Sequence, residues 1–123
     1  MSVAILLVED NEANQLLASS VLELSGYSVE VAGDAVEARE ILSRHVPDLI
    51  LMDIQLPGLD GLSFVKELRA ESATANIPVI ALTALAMAGD RERSLAAGCN
   101  GYISKPIDTR TFASEVRKFL PST

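Results

Sequence analysis

The chain has 123 residues, 49% of them apolar, and a formal net charge of −7. That length and apolar content suit one domain with one core, and the acidic balance speaks against a nucleic-acid surface, which carries a basic patch or stripe. No apolar run approaches the roughly 18 residues needed to span a bilayer, and Met1-Ser2-Val3 opens without the features of a secretion signal. The expected setting is cytoplasmic, with neither nucleic acid nor membrane as a direct partner. Cys99 is the single cysteine, so no intrachain disulfide or cysteine metal cluster is available, and a small buried filler is expected there.

In chain order, AILLV (4–8) reads as a first strand, followed by a helix that Asn11 caps and Gly26 stops. Its expected buried stripe is Ala13, Leu16, Leu17, Val21 and Leu24, which leaves Gln15, Ala18, Ser19 and Leu22 as an almost uncharged outer face. SVEVA (28–32) is a second strand; Asp34 and Glu37, three apart as in a capping box, open a second helix that Pro47 closes off. LILMD (49–53) is the third strand, and Asp60 caps a third helix carrying Leu62, Val65 and Leu68. PVIAL (78–82) is the fourth strand, before a helix running roughly from Met87 to Ala97 and ending at Gly98. GYISK (101–105) is the fifth, and Asp108 caps a last helix with Phe112, Val116, Phe119 and Leu120 on one side. Only 121–123 follow, so the whole of 1–123 is expected to form one domain with no room for an output domain.

Strict alternation of strand and helix implies right-handed crossovers and a parallel α/β sheet covered on both faces. In such sheets ligands gather outside the carboxyl ends of the strands. Strand 1 ends in Glu9 and Asp10, strand 3 in Asp53, strand 4 in Thr83, and strand 5 in Lys105 followed by Pro106. With the flavodoxin-like (βα)5 strand order 2-1-3-4-5, strands 1 and 3 are neighbours and three carboxylates share a pocket. Two carboxylates about 5 Å apart repel by ~3 kcal/mol at an effective dielectric near 20, so the cluster calls for a cation. An all-oxygen donor set favours Mg²⁺ over Ca²⁺ or Zn²⁺. Lys105 and Thr83 then suit an incoming phosphoryl group as a charge and a hydroxyl, and Asp53 is placed to attack it. Singly, each residue has a plainer reading: acids at a helix start, a turn aspartate, a strand-end hydroxyl, a solvated lysine. Jointly those readings require chance to fill four strand ends of one rim.

LLVEDNEANQ, DLILMDIQLPGLDG, VIALTA and AAGCNGYISKPI resemble the successive signatures of the receiver domain of two-component response regulators, over the whole chain. VEDNE, LILMDIQLP and YISKPI are similar to DivK-type single-domain regulators, and receivers of hybrid histidine kinases use similar wording. The resemblance implies that Asp53 accepts a phosphoryl group from a phosphohistidine of a histidine kinase or phosphotransfer protein. Glu9, Asp10 and Asp53 would hold Mg²⁺ with the backbone carbonyl of Gln55; Thr83, the Ala84 backbone N–H and Lys105 would bind phosphoryl oxygens. Pro106 would follow a cis peptide bond. Thr83 and Tyr102 would form the switch, reshaping the face of helix 4, strand 5 and helix 5 for a downstream protein target. Such a chain catalyses only its own phosphorylation and dephosphorylation, and Gln55 and Leu85 flank the site where hydrolytic water would enter.

Three further expectations follow from the residues. Gly89, near the start of helix 4, lowers that helix's intrinsic stability by up to about 1 kcal/mol relative to Ala. Gln15, Ala18 and Leu22 on the outer face of helix 1 suit docking on a helical bundle bearing the phosphohistidine. His45, beside Pro47 at a helix C-terminus, suits the helix dipole rather than chemistry. Rival classes are a haloacid-dehalogenase-like phosphatase, which needs an acid where Gln55 stands, and a flavodoxin-like FMN binder, whose phosphate Glu9 and Asp10 would repel. A phosphorylation-independent interaction module on the same fold is the remaining alternative.

Overall fold

The computed structural model describes residues 3–56, 59–83 and 89–120, leaving aside the side chains of 55, 56, 59, 60 and 90. Among these residues five strands, β1 (Ala4–Val8), β2 (Ser28–Ala32), β3 (Leu49–Asp53), β4 (Val79–Thr83) and β5 (Gly101–Ser104), form one parallel sheet in the order β2-β1-β3-β4-β5. The helices are α1 (Glu12–Leu24), α2 (Ala35–Arg44), α3 (Gly61–Ala70), α4 (Asp90–Ala97) and α5 (Phe112–Arg117). A two-residue antiparallel ladder, Gln55–Leu56 with Leu59–Asp60, stands between β3 and α3. This is the doubly wound, flavodoxin-like architecture expected from the alternation of elements.

Strand alternation divides the core into two layers. Leu6, Val8, Ile50, Met52, Val79 and Ala81 face a layer closed by Ala38 and Ile41 of α2 and Phe64, Val65 and Leu68 of α3. Ile5, Leu7, Leu49, Leu51, Ile80, Leu82 and Ile103 face Ala18 and Leu22 of α1 and Phe112 and Val116 of α5. Burying both faces explains why β1, β3 and β4 are apolar almost throughout.

Helix starts follow the caps where the capping atoms are visible. Asn14 N–H donates to Asn11 Oδ1 at 3.0 Å, and Glu37 N–H donates to Asp34 Oδ1 at 2.8 Å. Asp108 does not cap α5: its carboxylate accepts the Arg110 N–H at 2.9 Å, in a turn that comes before the helix begins. Gly89 is not inside α4 but precedes it at φ 99°, with no side-chain cap bond. Its effect is therefore backbone permission for a left-handed residue, and the helix-propensity argument does not apply to it. The expected first turn from Met87 lies outside the described residues.

The phase of α1 differs from expectation, although Val21 of the expected stripe does pack, half-buried, against the core. Leu22 is 0% exposed and Ala18 is buried, whereas Leu16 is 69% and Leu24 90% exposed. Gln15, Ala18 and Leu22 do share a face, at spacings of 3 and 4, but it is the inner face, so Ala18 and Leu22 cannot dock a partner. Apolar residues on both sides of α1 allow two stripes. The small Ala18 lets the helix approach the sheet closely, and Gln15 has a polar partner there, described below.

Arg69 closes the end of the sheet opposite the carboxylate rim. Its guanidinium donates to the carbonyls of Gly98 (3.0 Å), Thr74 (3.4 Å), Ala75 (3.1 Å) and Ile77 (2.7 Å) and to Asn100 Oδ1 (2.9 Å). Asn100 Oδ1 also accepts the Val79 N–H at 2.9 Å, so one side chain ties α3 to the starts of β4 and β5. Cys99 is buried beside it as the expected filler, its thiol pushed up to about 11 by burial. His45 ends α2 with Nε2 2.6 Å from Glu30 Oε1, away from the rim.

Candidate functional site

The register brings the acids together. Val8 pairs with Met52, so the next residues, Glu9 and Asp53, leave neighbouring strands side by side. Both continue the alternation of Leu7 and Leu51, and Lys105 continues that of Ile103, so all three start from the α1/α5 side of the sheet. Lys105 follows β5, two strands from the β3 that carries Asp53, and its long side chain reaches across β4. Thr83, of opposite parity, lies on the α2/α3 side and is fully buried.

Glu9, Asp10 and Asp53 each offer a carboxylate oxygen, and these oxygens lie within 4.8 Å of one another. Glu9 is 1% and Asp53 3% exposed, while Asp10 faces solvent. The compensating charge is Lys105, whose Nζ stands 2.6 Å from Glu9 Oε1 and 3.0 Å from Asp53 Oδ2. The expected partner of this lysine was an incoming phosphoryl group; here it spans the two buried acids. Burial holds the Glu9 carboxyl above the ordinary glutamate range, because desolvation and the neighbouring Asp53 outweigh Lys105 and the Asn11 N–H. Burial alone would lower the Lys105 ammonium, yet its bonds to Glu9 and Asp53 hold it above the ordinary lysine range.

The loop after β1 is tied at several points. Glu9 N–H donates to Ala32 O at 2.9 Å, Asn11 N–H to Glu9 Oε2 at 3.2 Å, and Gln15 Nε2 to Glu9 O at 2.6 Å. Gln15, read from sequence as a docking residue, is thus part of the rim; its uncharged amide on an apolar helix gave no cue. Gly61 was also missed. A Cβ there would lie 2.5 Å from Asp53 O and 2.6 Å from Ile54 Cα, so only glycine lets α3 begin directly against the end of β3.

The donor set fits a hard divalent cation. It is three carboxylates, with no nitrogen or sulfur ligand in the cluster. Gln55 follows in the short ladder. Ala84 and Leu85 lie outside the described residues. The Lys105–Pro106 peptide is cis, as the resemblance implies. Tyr102 is half-buried against the α2/α3 layer, on the sheet face that Thr83 shares by register.

A five-stranded parallel sheet with an acid cluster and a lysine at its carboxyl rim defines the class of receiver domains. The chain belongs to that family: the response regulator receiver domain matches residues 5–117. It is 44% identical over 120 residues to the polar-differentiation response regulator DivK of Brucella ovis, covering 98% of each chain. The same identity and coverage hold for DivK of Brucella anthropi. The receiver domain of the sensor histidine kinase PA1611 of Pseudomonas aeruginosa, solved with a magnesium ion coordinated in its active-site cleft, superimposes with a TM-score of 0.89 at 40% identity, covering 99% of this chain and all of that one. The chemotaxis response regulator CheY4 of Vibrio cholerae gives a TM-score of 0.91 at 28% identity, covering 98% and 100%.

Proposed function

We propose that Asp53 accepts a phosphoryl group from a phosphohistidine of a histidine kinase or histidine phosphotransfer protein, in a Mg²⁺-dependent reaction. The observation that carries this is Asp53 itself: an acid at the end of the central strand, inside a three-carboxylate cluster and 3.0 Å from a lysine ammonium. An Asp53 oxygen attacks phosphorus, the P–N bond breaks as the new P–O bond forms, and the imidazole leaves after taking up a proton. Glu9, Asp10 and Asp53, with the Gln55 carbonyl, would hold Mg²⁺, which would neutralise charge on the transferring oxygens. Lys105 leaves its acid partners to meet the phosphoryl group, and Thr83 and the Ala84 N–H take further oxygens.

The chain acts on its own aspartate and on no other substrate. Thr83 and Tyr102, one strand apart on one sheet face, relay the new charge to the surface of α4, β5 and α5, where a downstream protein target binds. The kinase or phosphotransfer bundle docks on the outward side of α1, where Leu16, Leu17 and Leu24 are exposed, in place of Ala18 and Leu22. Location in the cytoplasm accords with such partners, and among the described residues no helix is long and apolar enough to cross a membrane.

The test is the intact mass of wild type and Asp53→Ala after incubation with Mg²⁺ and acetyl phosphate or phosphoramidate. A Mg²⁺-dependent gain of one phosphoryl group in wild type alone is expected. No gain in folded, Mg²⁺-bound wild type overturns the reading.

A further inference from the structure

The three acids of the rim are held unequally. The Glu9 carboxylate has the Asn11 N–H and Lys105, and Asp53 has Lys105. Asp10, the exposed member, has no hydrogen bond or ion pair to its side chain among the described residues. Its direction therefore rests on its backbone. The peptide joining Glu9 to Asp10 is the one whose carbonyl Gln15 Nε2 grips at 2.6 Å. A peptide unit is planar, so holding that carbonyl also holds the Asp10 N–H and the position of the Asp10 Cα, the point from which its side chain leaves the loop.

Gln15 is placed for this by two neighbours. Its own N–H bonds Asn11 O at 2.9 Å in the first turn of α1, and its side chain lies on the inner face with Ala18 and Leu22. Gly33, after β2, lies beside it: a Cβ there would be in ordinary contact with Gln15 Nε2, at 3.9 Å.

We propose that Gln15 is a positioning residue for the divalent-cation site, acting through the Glu9 carbonyl to aim Asp10 at the cluster. The inference rests on the reading of that cluster as a Mg²⁺ site. Groups that orient metal ligands change affinity by roughly 10- to 100-fold when removed, and the single backbone bond here belongs at the low end.

The experiment is calorimetric titration of the unphosphorylated chain with MgCl₂, beside urea melts without Mg²⁺, for wild type, Gln15→Met and Gln15→Ala. Gln15→Met keeps the length and loses the donor; Gln15→Ala covers the case in which the thioether does not fit. A Mg²⁺ Kd raised about tenfold at an unchanged urea midpoint is expected. An unchanged Kd in variants and wild type overturns the role of Gln15 alone, as does a Kd that rises only together with a lost midpoint. Failure of folded wild type to bind Mg²⁺ overturns the metal reading and this inference with it.

Discussion

Replacing Lys105 with methionine removes the ammonium that faces two buried acids and keeps most of the apolar stem. At 2.6 Å from Glu9 and 3.0 Å from Asp53 the gross attractions are about 6 and about 5.5 kcal/mol at an effective dielectric near 20. Desolvation opposes them, and breaking a buried pair from one side costs ~3–5 kcal/mol in net stability. The lysine side chain retains 16% exposure, which places the expected loss near the lower bound, about 3 kcal/mol. With an m-value near 2 kcal/mol/M, the urea midpoint at pH 7.5 without Mg²⁺ should fall by about 1.5 M. The deficit should also depend on pH. Glu9 is already held above the ordinary glutamate range by burial, and loss of Lys105 removes a group that lowers it. An acid with a raised folded pKa binds its proton more tightly when folded, so stability rises as pH falls through that pKa, and the deficit narrows toward pH 5. A wild-type midpoint for Lys105→Met at pH 7.5 would refute the claim that this lysine is the counter-charge of the rim.

The observed phase of α1 makes a paired prediction: Leu22→Ala, at a 0% exposed site, should cost about 2–5 kcal/mol, while Leu16→Asp should leave the thermal midpoint nearly unchanged but slow phosphotransfer from the cognate donor. Arg69→Lys keeps the charge but cannot reproduce the five-donor fork, so a loss of about 2 kcal/mol in urea unfolding is expected. Gly98→Ala places a Cβ 2.7 Å from Arg69 Cγ at a backbone φ of 116° and should cost at least about 1–2 kcal/mol; a neutral result would refute the clamp. In wild type the Lys105 ammonium sits above the ordinary lysine range, so its contribution is complete below that range and is lost as pH rises through its folded pKa, which an alkaline unfolding series compared with Lys105→Met would reveal.

Much of this molecule is legible in one dimension because its signals are local. Alternation of short apolar runs with capped helices gives the element order, and the switch from apolar to polar at residues 9, 53, 83 and 105 marks one rim of the sheet. A strand end and a helix cap are decided by neighbours within a few residues, so their residue types announce them. Other features depend on distances between elements. Which apolar stripe of α1 turns inward depends on how the helix packs over β2 and beside α5, and the chain itself carries two candidate stripes. That Lys105 spans Glu9 and Asp53 depends on the width of β4, which separates β5 from β3, whereas Gln15 reaches an acceptor only six residues away, at the turn from β1 into α1. The primary structure by itself determined the order of the elements and the residues of the rim; the tertiary structure decided which of them touch, because contact between distant residues is set by packing geometry that no local pattern encodes.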